Sequence, residues 1–349
     1  MKITAIGVNA AFSTGTYEEV ISTEQAIDLI VEMANSPHFQ QLPKEVIIQR
    51  INQLSKRLYL PKWHSNFLIE FDMPNKRNGK SPYRLLLDMG GDARHALKAL
   101  NITSSHIDGV YISHPHNDHI GGMECVGLTT LFNPYYTMAK KEWLGEQFIA
   151  DKLFLEQESW SVPPPEAKPD LFVHRKVLEP LKRAVGPGLD TLQGVPDVCL
   201  ETYFDIHLVG KQENGQTKKQ TFRDGDSEWV MTPIFAMHVI SSSEEMASYG
   251  ISLQHSSGYN VLMPTDIQHT MPTQLESHYL RAHRIYMDCE TSSIPSGVHP
   301  HISELIHNLD PKIQRKCLLY HYDTYPEIPG DMFYGVLKTG DCHTYPPND

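Results

Sequence analysis

The sequence predicts an α/β fold, and three observations carry that reading. The first residues, "MKITAIGVNAAFS", alternate as a strand rather than a helix. Residues 83–113 run strand, helix, strand, with polar residues at the end of the second strand, where α/β architectures place their sites. Several later apolar runs close on a single histidine or aspartate. One domain spanning 1–349 accommodates all of this, because a chain of this length can bury a large core.

Taken in order, the strand at 1–13 is followed by an expected helical insertion over 17–60. There "STEQAIDLIVEMANS" opens with Ser22 and Gln25 in capping-box spacing. "LPKEVIIQRINQLSKRLYL" starts at Pro43 and lines up Ile47, Ile51, Leu54 and Leu58 on one stripe. This pair packs on its own domain, forms a lid or serves a dimer surface. "NFLIEF" and "YRLLLDMG" read as strands, "DARHALKALNI" as a helix ending at Asn101, and "IDGVYIS" as a short buried strand. Residues 139–200 change texture, with "SVPPPEAKPD" and "VGPGLDTLQGVPD" bracketing helical pieces such as "RKVLEPLKRAV", and read as an insertion or lid. "CLETYFDIHLVG", "WVMTPIFAMHVI", "SYGISLQ" and "NVLMPTDI" return as strands, the last two joined by the turn "HSSGY". "RIYMDCE", a helix at "SELIHNL" and the strand "KCLLYHY" complete the chain.

Composition narrows the function classes. No run of eighteen apolar residues is present, so the sequence offers no transmembrane helix, and its start lacks a signal-peptide cleavage pattern. Five scattered cysteines without a CxxC pair fit reduced thiols in a cytoplasmic protein. A formal net charge of -12 repels nucleic-acid backbones, and the basic run "KWHSNFLIEFDMPNKRNGK" is modest. A small anionic substrate is therefore expected in preference to long nucleic acid.

The segment "HPHNDHIGG", residues 114–122, carries the chemistry. His114 and His116 alternate and share one face of an extended segment, while Asp118 and His119 follow as the chain turns. Imidazole and carboxylate ligands in this order suit two adjacent divalent ions. A single loop leaves both ions short of ligands. His238, Asp266 and His321 each close an apolar run downstream and are the candidates to complete them.

These residues resemble the metallo-β-lactamase superfamily over nearly the whole chain. The resemblance implies an αββα sandwich, here with helical insertions, and a binuclear metal centre. By it, His114, His116 and His238 would hold one ion, Asp118, His119 and His321 the other, and Asp266 would bridge. Zn²⁺ ranks first for both ions, then Mn²⁺. The segment "MDCETSSIPSGVHPHISELI" resembles the phosphodiesterase branch, which includes tRNA 3′-processing endonucleases and cyclic-nucleotide phosphodiesterases. Glu290 and Thr291 match its acidic-Thr pair, and either His299 or His301 matches its outer histidine. Asp118 and one of those histidines are the expected catalytic residues. The leading expectation is a phosphodiesterase acting on a small substrate such as a cyclic nucleotide. A tRNA-processing type endonuclease, a lactone or thioester hydrolase, and a binding protein on an inactive hydrolase scaffold are the alternatives.

Overall fold

The computed structural model describes residues 1–10, 17–19, 59–61, 63–75, 79–132, 168–192, 196–212, 215–240, 245–269, 273–326 and 330–347, with single positions at 31, 35, 43, 46 and 328. The strands are β1 (Lys2–Gly7), β2 (Tyr17–Glu19), β3 (Tyr59–Pro61), β4 (Asn66–Phe71), β5 (Tyr83–Leu87), β6 (Gly109–Ile112), β7 (Asp170–His174), β8 (Asp205–Lys211) and β9 (Thr217–Lys218). They continue as β10 (Gln220–Asp224), β11 (Ser227–Ile240), β12 (Glu245–His255), β13 (Asn260–Met263), β14 (Arg284–Asp288), β15 (Cys317–Tyr320), β16 (Gly335–Val336) and β17 (Cys342–Thr344). The helices are α1 (Ala93–Ala99), α2 (Asn117–Ile120), α3 (Met123–Phe132), α4 (Arg175–Leu189), α5 (Leu200–Tyr203), α6 (Thr273–Arg281), α7 (Ile302–Asn308) and α8 (Pro311–Gln314).

Two large sheets face each other. One has the order β17-β1-β4-β5-β6-β7-β8-β9 and the other β10-β11-β12-β13-β14-β15-β16. Their strands alternate with period two, which divides the core into layers. On the first sheet Phe67, Ile69, Leu85, Leu87, Tyr111 and Phe172 face the second, where Trp229, Met231, Ile251, Leu253, Tyr286 and Tyr320 meet them. The intervening residues Leu68, Leu86, Val110, Ile112, Leu171 and Val173 face outward under α1, α3 and α4. Leu262, Ile285, Met287 and Leu319 do the same under α6 and α7. The result is the αββα sandwich that the resemblance implied.

Both sheets change from antiparallel to parallel pairing toward the site. β5, β6, β7 and β8 run parallel, and so do β13, β14, β15 and β16. Parallel neighbours bring the carboxyl ends of β6, β13, β14 and β15 to one edge, and the polar residues that close these runs meet there.

The structure differs from the sequence reading in several places. Part of the stretch expected to be an insertion, 139–200, belongs to the main fold. β7 pairs with β6 and β8 inside the first sheet, and α4 covers it with Val177, Leu181 and Leu189. Its five residues are buried, but flanking prolines disguise them as loop. "CLETYFDIHLVG" is not one strand. Cys199 caps the single turn α5, Thr202 returns a side-chain contact to the Cys199 backbone, and the strand begins at Asp205. α3, α6, β10, β16 and β17 have no counterpart in the sequence reading. Most of the expected helices at 22–36 and 42–60 lies outside the described residues, as do residues 133–167, and Tyr59 and Leu60 at the end of the second belong to β3 instead. The ends of the 17–60 stretch meet, since β2 pairs with β3 in register Tyr17↔Pro61. Among the described residues no helix is long and apolar enough to cross a membrane.

Candidate metal centre

β6 ends at Ile112, and the next residues build the floor of the site. Ser113 donates through its backbone N–H to Asp88 Oδ1 and through its hydroxyl to Asp88 Oδ2, each at 2.8 Å. His114 and His116 follow on extended backbone, and α2 then turns Asp118 and His119 inward. The turn is tight. A Cβ on Gly90 would lie 2.2 Å from the Asp118 carbonyl oxygen, so glycine is required for α2 to sit against the β5 loop.

The other residues arrive from the second sheet. His238 sits within β11 at a register shift between Met237 and Ile240, and a bulge of this kind re-aims a side chain. Asp266 lies just past β13, with Thr265 before it at φ 63°. His321 follows β15 at φ 65°. Asp88 has φ 62°. Non-glycine residues in this region carry backbone strain, and three of them meet at one site.

The structure brings all seven expected ligand residues together. One group is His114, His116, His238 and Asp266, and the second is Asp118, His119, Asp266 and His321, each with donor atoms within 4.8 Å of one another. Asp266 is common to both. Its Oδ2 is 3.1 Å from His119 Nε2, 3.6 Å from His321 Nε2, 3.7 Å from His114 Nε2 and 3.8 Å from His238 Nε2. Asp118 Oδ2 lies 3.2 Å from His119 Nε2 and 3.6 Å from His321 Nε2.

Hydrogen bonds behind the ligands fix which ring nitrogen faces inward. His119 donates from Nδ1 to Asp88 Oδ2 at 2.8 Å. His238 donates from Nδ1 to the Val298 carbonyl at 3.1 Å. His114 Nδ1 lies 2.9 Å from the Ser113 hydroxyl, whose proton is already committed to Asp88. This leaves Nε2 of His114 and His238 as a lone pair free to ligate, and it turns His119 Nε2 toward Asp266 Oδ2 at 3.1 Å.

These donors fit divalent ions. His114 Nε2 and His238 Nε2 come within 3.0 and 3.2 Å of His116 Nδ1, an approach of nitrogens that a cation between them would stabilise. His321 Nε2 and Asp266 Oδ1 are buried without hydrogen-bond partners among the described residues. Burial pushes the His114, His116 and His238 imidazoles down, His238 to about 4, which keeps them neutral as ligation requires. At His119 burial pulls the same way, yet Asp266, Asp118 and Asp88 outweigh it and hold the ring well above its usual value. Asp266 and Asp288 do this for His321. A carboxylate field that holds protons on buried imidazoles also holds cations.

The outer histidines part ways. His299 lines a cavity of about 550 Å³ above this floor, together with Asp118, His116, His238 and His321. It donates from Nδ1 to Asp288 Oδ2 at 2.8 Å. Burial lowers its pKa, but the Asp288 carboxylate outweighs burial and leaves it raised. His301 does not line that cavity. It caps α7, accepting from the Ser303 N–H at 3.3 Å, and its Nε2 donates to the Ser292 carbonyl at 3.0 Å. Glu290 reaches the cavity wall, while Thr291 exchanges hydrogen bonds with the Thr324 backbone at 2.8 and 3.0 Å.

Sequence reasoning missed Asp88 and Asp288. Both close apolar runs, "YRLLLD" and "RIYMD", the same signal that singled out Asp266. Asp288 stands between the two site histidines, 2.8 Å from His299 Nδ1 and 3.3 Å from His321 Nδ1.

Comparisons with known proteins agree with this architecture. A diphosphatase of the PhnP family superposes with a TM-score of 0.54 at 13% identity, covering 99% of this chain and 97% of its own. The metallo-β-lactamase fold protein YhfI of Bacillus subtilis superposes at 0.50 and 14%, covering 98% of both chains. The anti-Pycsar protein Apyc1 of Bacillus phage BSP38 is 25% identical over 241 residues, which are 69% of this chain and 78% of the phage protein. The family model for anti-Pycsar protein Apyc1 matches residues 60–159 and 152–339, most of the chain, so this metallo-β-lactamase-fold protein belongs to the anti-Pycsar protein Apyc1 family.

Proposed function

We propose that the chain is a metal-dependent phosphodiesterase that opens the phosphodiester ring of a small cyclic nucleotide. The observation that carries this is the pair of donor groups sharing Asp266 at the floor of one cavity, with His299 beside them. Two divalent ions bound there, Zn²⁺ ahead of Mn²⁺, would supply a water that ionises near neutral pH and a positive clamp on the phosphoryl oxygens. The chain's own groups do the rest. Asp118 stays ionised beside His119 and His321 and orients the attacking water, whose proton leaves to solvent as it ionises. As the water oxygen bonds to phosphorus, the bond from phosphorus to the sugar oxygen breaks, and protonated His299 delivers its proton to that leaving oxygen. Asp288 holds the His299 ring in place and favours its charged form.

The relatives are phage proteins named for action against Pycsar, and the same role is proposed for this chain. A cavity of about 550 Å³ holds one nucleotide, and a chain of net charge -12 offers little grip to a polynucleotide backbone. Five free cysteines support a cytoplasmic setting. Metal-loaded protein incubated with cyclic mononucleotides should release the linear monophosphate, with weak dependence on salt. Cleavage of precursor tRNA with a steep salt slope, and no turnover of any cyclic nucleotide, would favour the endonuclease reading instead.

A further inference from the structure

Glu290, Thr291 and His301 are absorbed by none of the chemistry above, yet all three hold one segment, residues 291–298. Glu290 turns its carboxylate into the loop and gathers its donors. The Ser296 N–H lies 2.8 and 3.0 Å from the two carboxylate oxygens, the Ser296 hydroxyl 3.0 Å from one, and the Ser292 hydroxyl also donates to it. His301 binds the Ser292 carbonyl, Thr291 ties the loop's start to Thr324, and Gln268 donates to the Gly297 carbonyl at 3.1 Å. Gly297 supplies the turn with φ 77°. The loop's far end, Val298, is fixed on His238.

A short surface loop braced at so many points has lost most of its freedom, so the backbone entropy of ordering it is already spent before a substrate arrives. At its tip stands Ile294, 81% exposed, with its side chain on the cavity wall. None of the polar braces involves that side chain. Most other described residues on the wall are ionisable or polar, so among the described residues Ile294 with Val298 and Ala10 makes its apolar part.

We propose that residues 291–298 form a rigid platform, braced by Glu290 and His301, on which Ile294 supplies the apolar contact for the nucleoside part of the substrate. Glu290 and His301 are positioning residues in this arrangement. They act through the loop and do not touch the phosphoryl group. The proposal rests on the cyclic-nucleotide reading of the same site and adds the residue that recognises the base-and-sugar end.

The test is a double-mutant cycle on metal-loaded protein, with KM and kcat measured for cyclic mononucleotides and metal content determined for each variant. Ile294→Ala should raise KM about fivefold to tenfold, as loss of buried methyl and methylene groups does, while kcat stays within about twofold. Glu290→Gln puts an amide donor against the Ser296 N–H and should raise KM through the loosened loop. The double variant should then be little worse than the poorer single one, since both act through one contact. Unchanged KM in Ile294→Ala, with wild-type protein active, overturns the platform alone. Fully additive effects overturn the link between Glu290 and Ile294. Wild-type protein that turns over no cyclic nucleotide removes both the platform and the function it rests on.

Discussion

His299 and His301 stand two residues apart in the sequence, and their surroundings assign them different work. Spacing alone could not separate them, because each precedes the helix that "SELIHNL" predicts. The separation is three-dimensional: His299 pairs with buried Asp288 and lines the cavity, whereas His301 spends both ring nitrogens on the cap of α7 and the Ser292 carbonyl. His299→Ala should therefore lose about a hundredfold in kcat at normal metal content. His301→Ala should keep kcat within about tenfold and act mainly on KM. The reverse pattern in steady-state kinetics would reassign the proton donor. Asp266 and His321 were legible for a physical reason, since a histidine or aspartate that ends an apolar strand emerges at a sheet edge, whereas His238, expected to end its strand, lies inside β11 and is re-aimed by the register shift there. Asp88 and Asp288 give that same signal, but they act behind the ligands, and one sequence does not distinguish a ligand from its support.

Two short elements hold the site in shape, and each makes a prediction. α2 rests on the loop after β5 at Gly90, whose missing Cβ leaves room for the Asp118 carbonyl. Gly90→Ala should push α2 away, weaken metal retention and cost roughly 1–3 kcal/mol of stability, read by dialysis against chelator and by denaturant midpoint. α4 is capped by His174, whose Nδ1 accepts from the Lys176 N–H at 3.3 Å and whose ring stacks on Tyr249 at 3.6 Å. Burial lowers the His174 pKa to about 4 from an ordinary 6.5. The folded protein thus binds this proton less readily than the unfolded chain. The His174 contribution is fully present above pH 6.5 and is lost as pH falls from 6.5 toward 4. His174→Asn keeps a cap acceptor but cannot titrate, so its stability should fall less across that window, by roughly 2 kcal/mol. Parallel pH curves for the two proteins would refute the assignment. The sequence concealed these elements unequally. The helix core "RKVLEPLKRAV" was readable, but β7 before it was not, because prolines on its flank resemble a loop boundary.

At the scale of the whole molecule, the two sheets matter because neither completes the site alone. His114, His116, Asp118 and His119 follow a strand of the first sheet, while His238, Asp266 and His321 come from the second. Packing of Phe67 against Tyr286 and Tyr320, edge to face at 5.3 and 5.0 Å, fixes the sheets on each other beneath that floor. The fold was legible because strands buried on both faces read as apolar runs. The contribution of each sheet to the floor was not, since strand order is set by long-range packing. This junction is expected to bind two ions through seven residues, with Asp266 shared. Elemental analysis of protein purified without chelator, alongside Asp266→Ala, tests it most directly. Close to two equivalents of divalent metal per chain are expected, with a marked loss from both positions in the variant. A value near zero that persists after reconstitution with Zn²⁺ or Mn²⁺, or an Asp266→Ala protein that retains both ions, would contradict it.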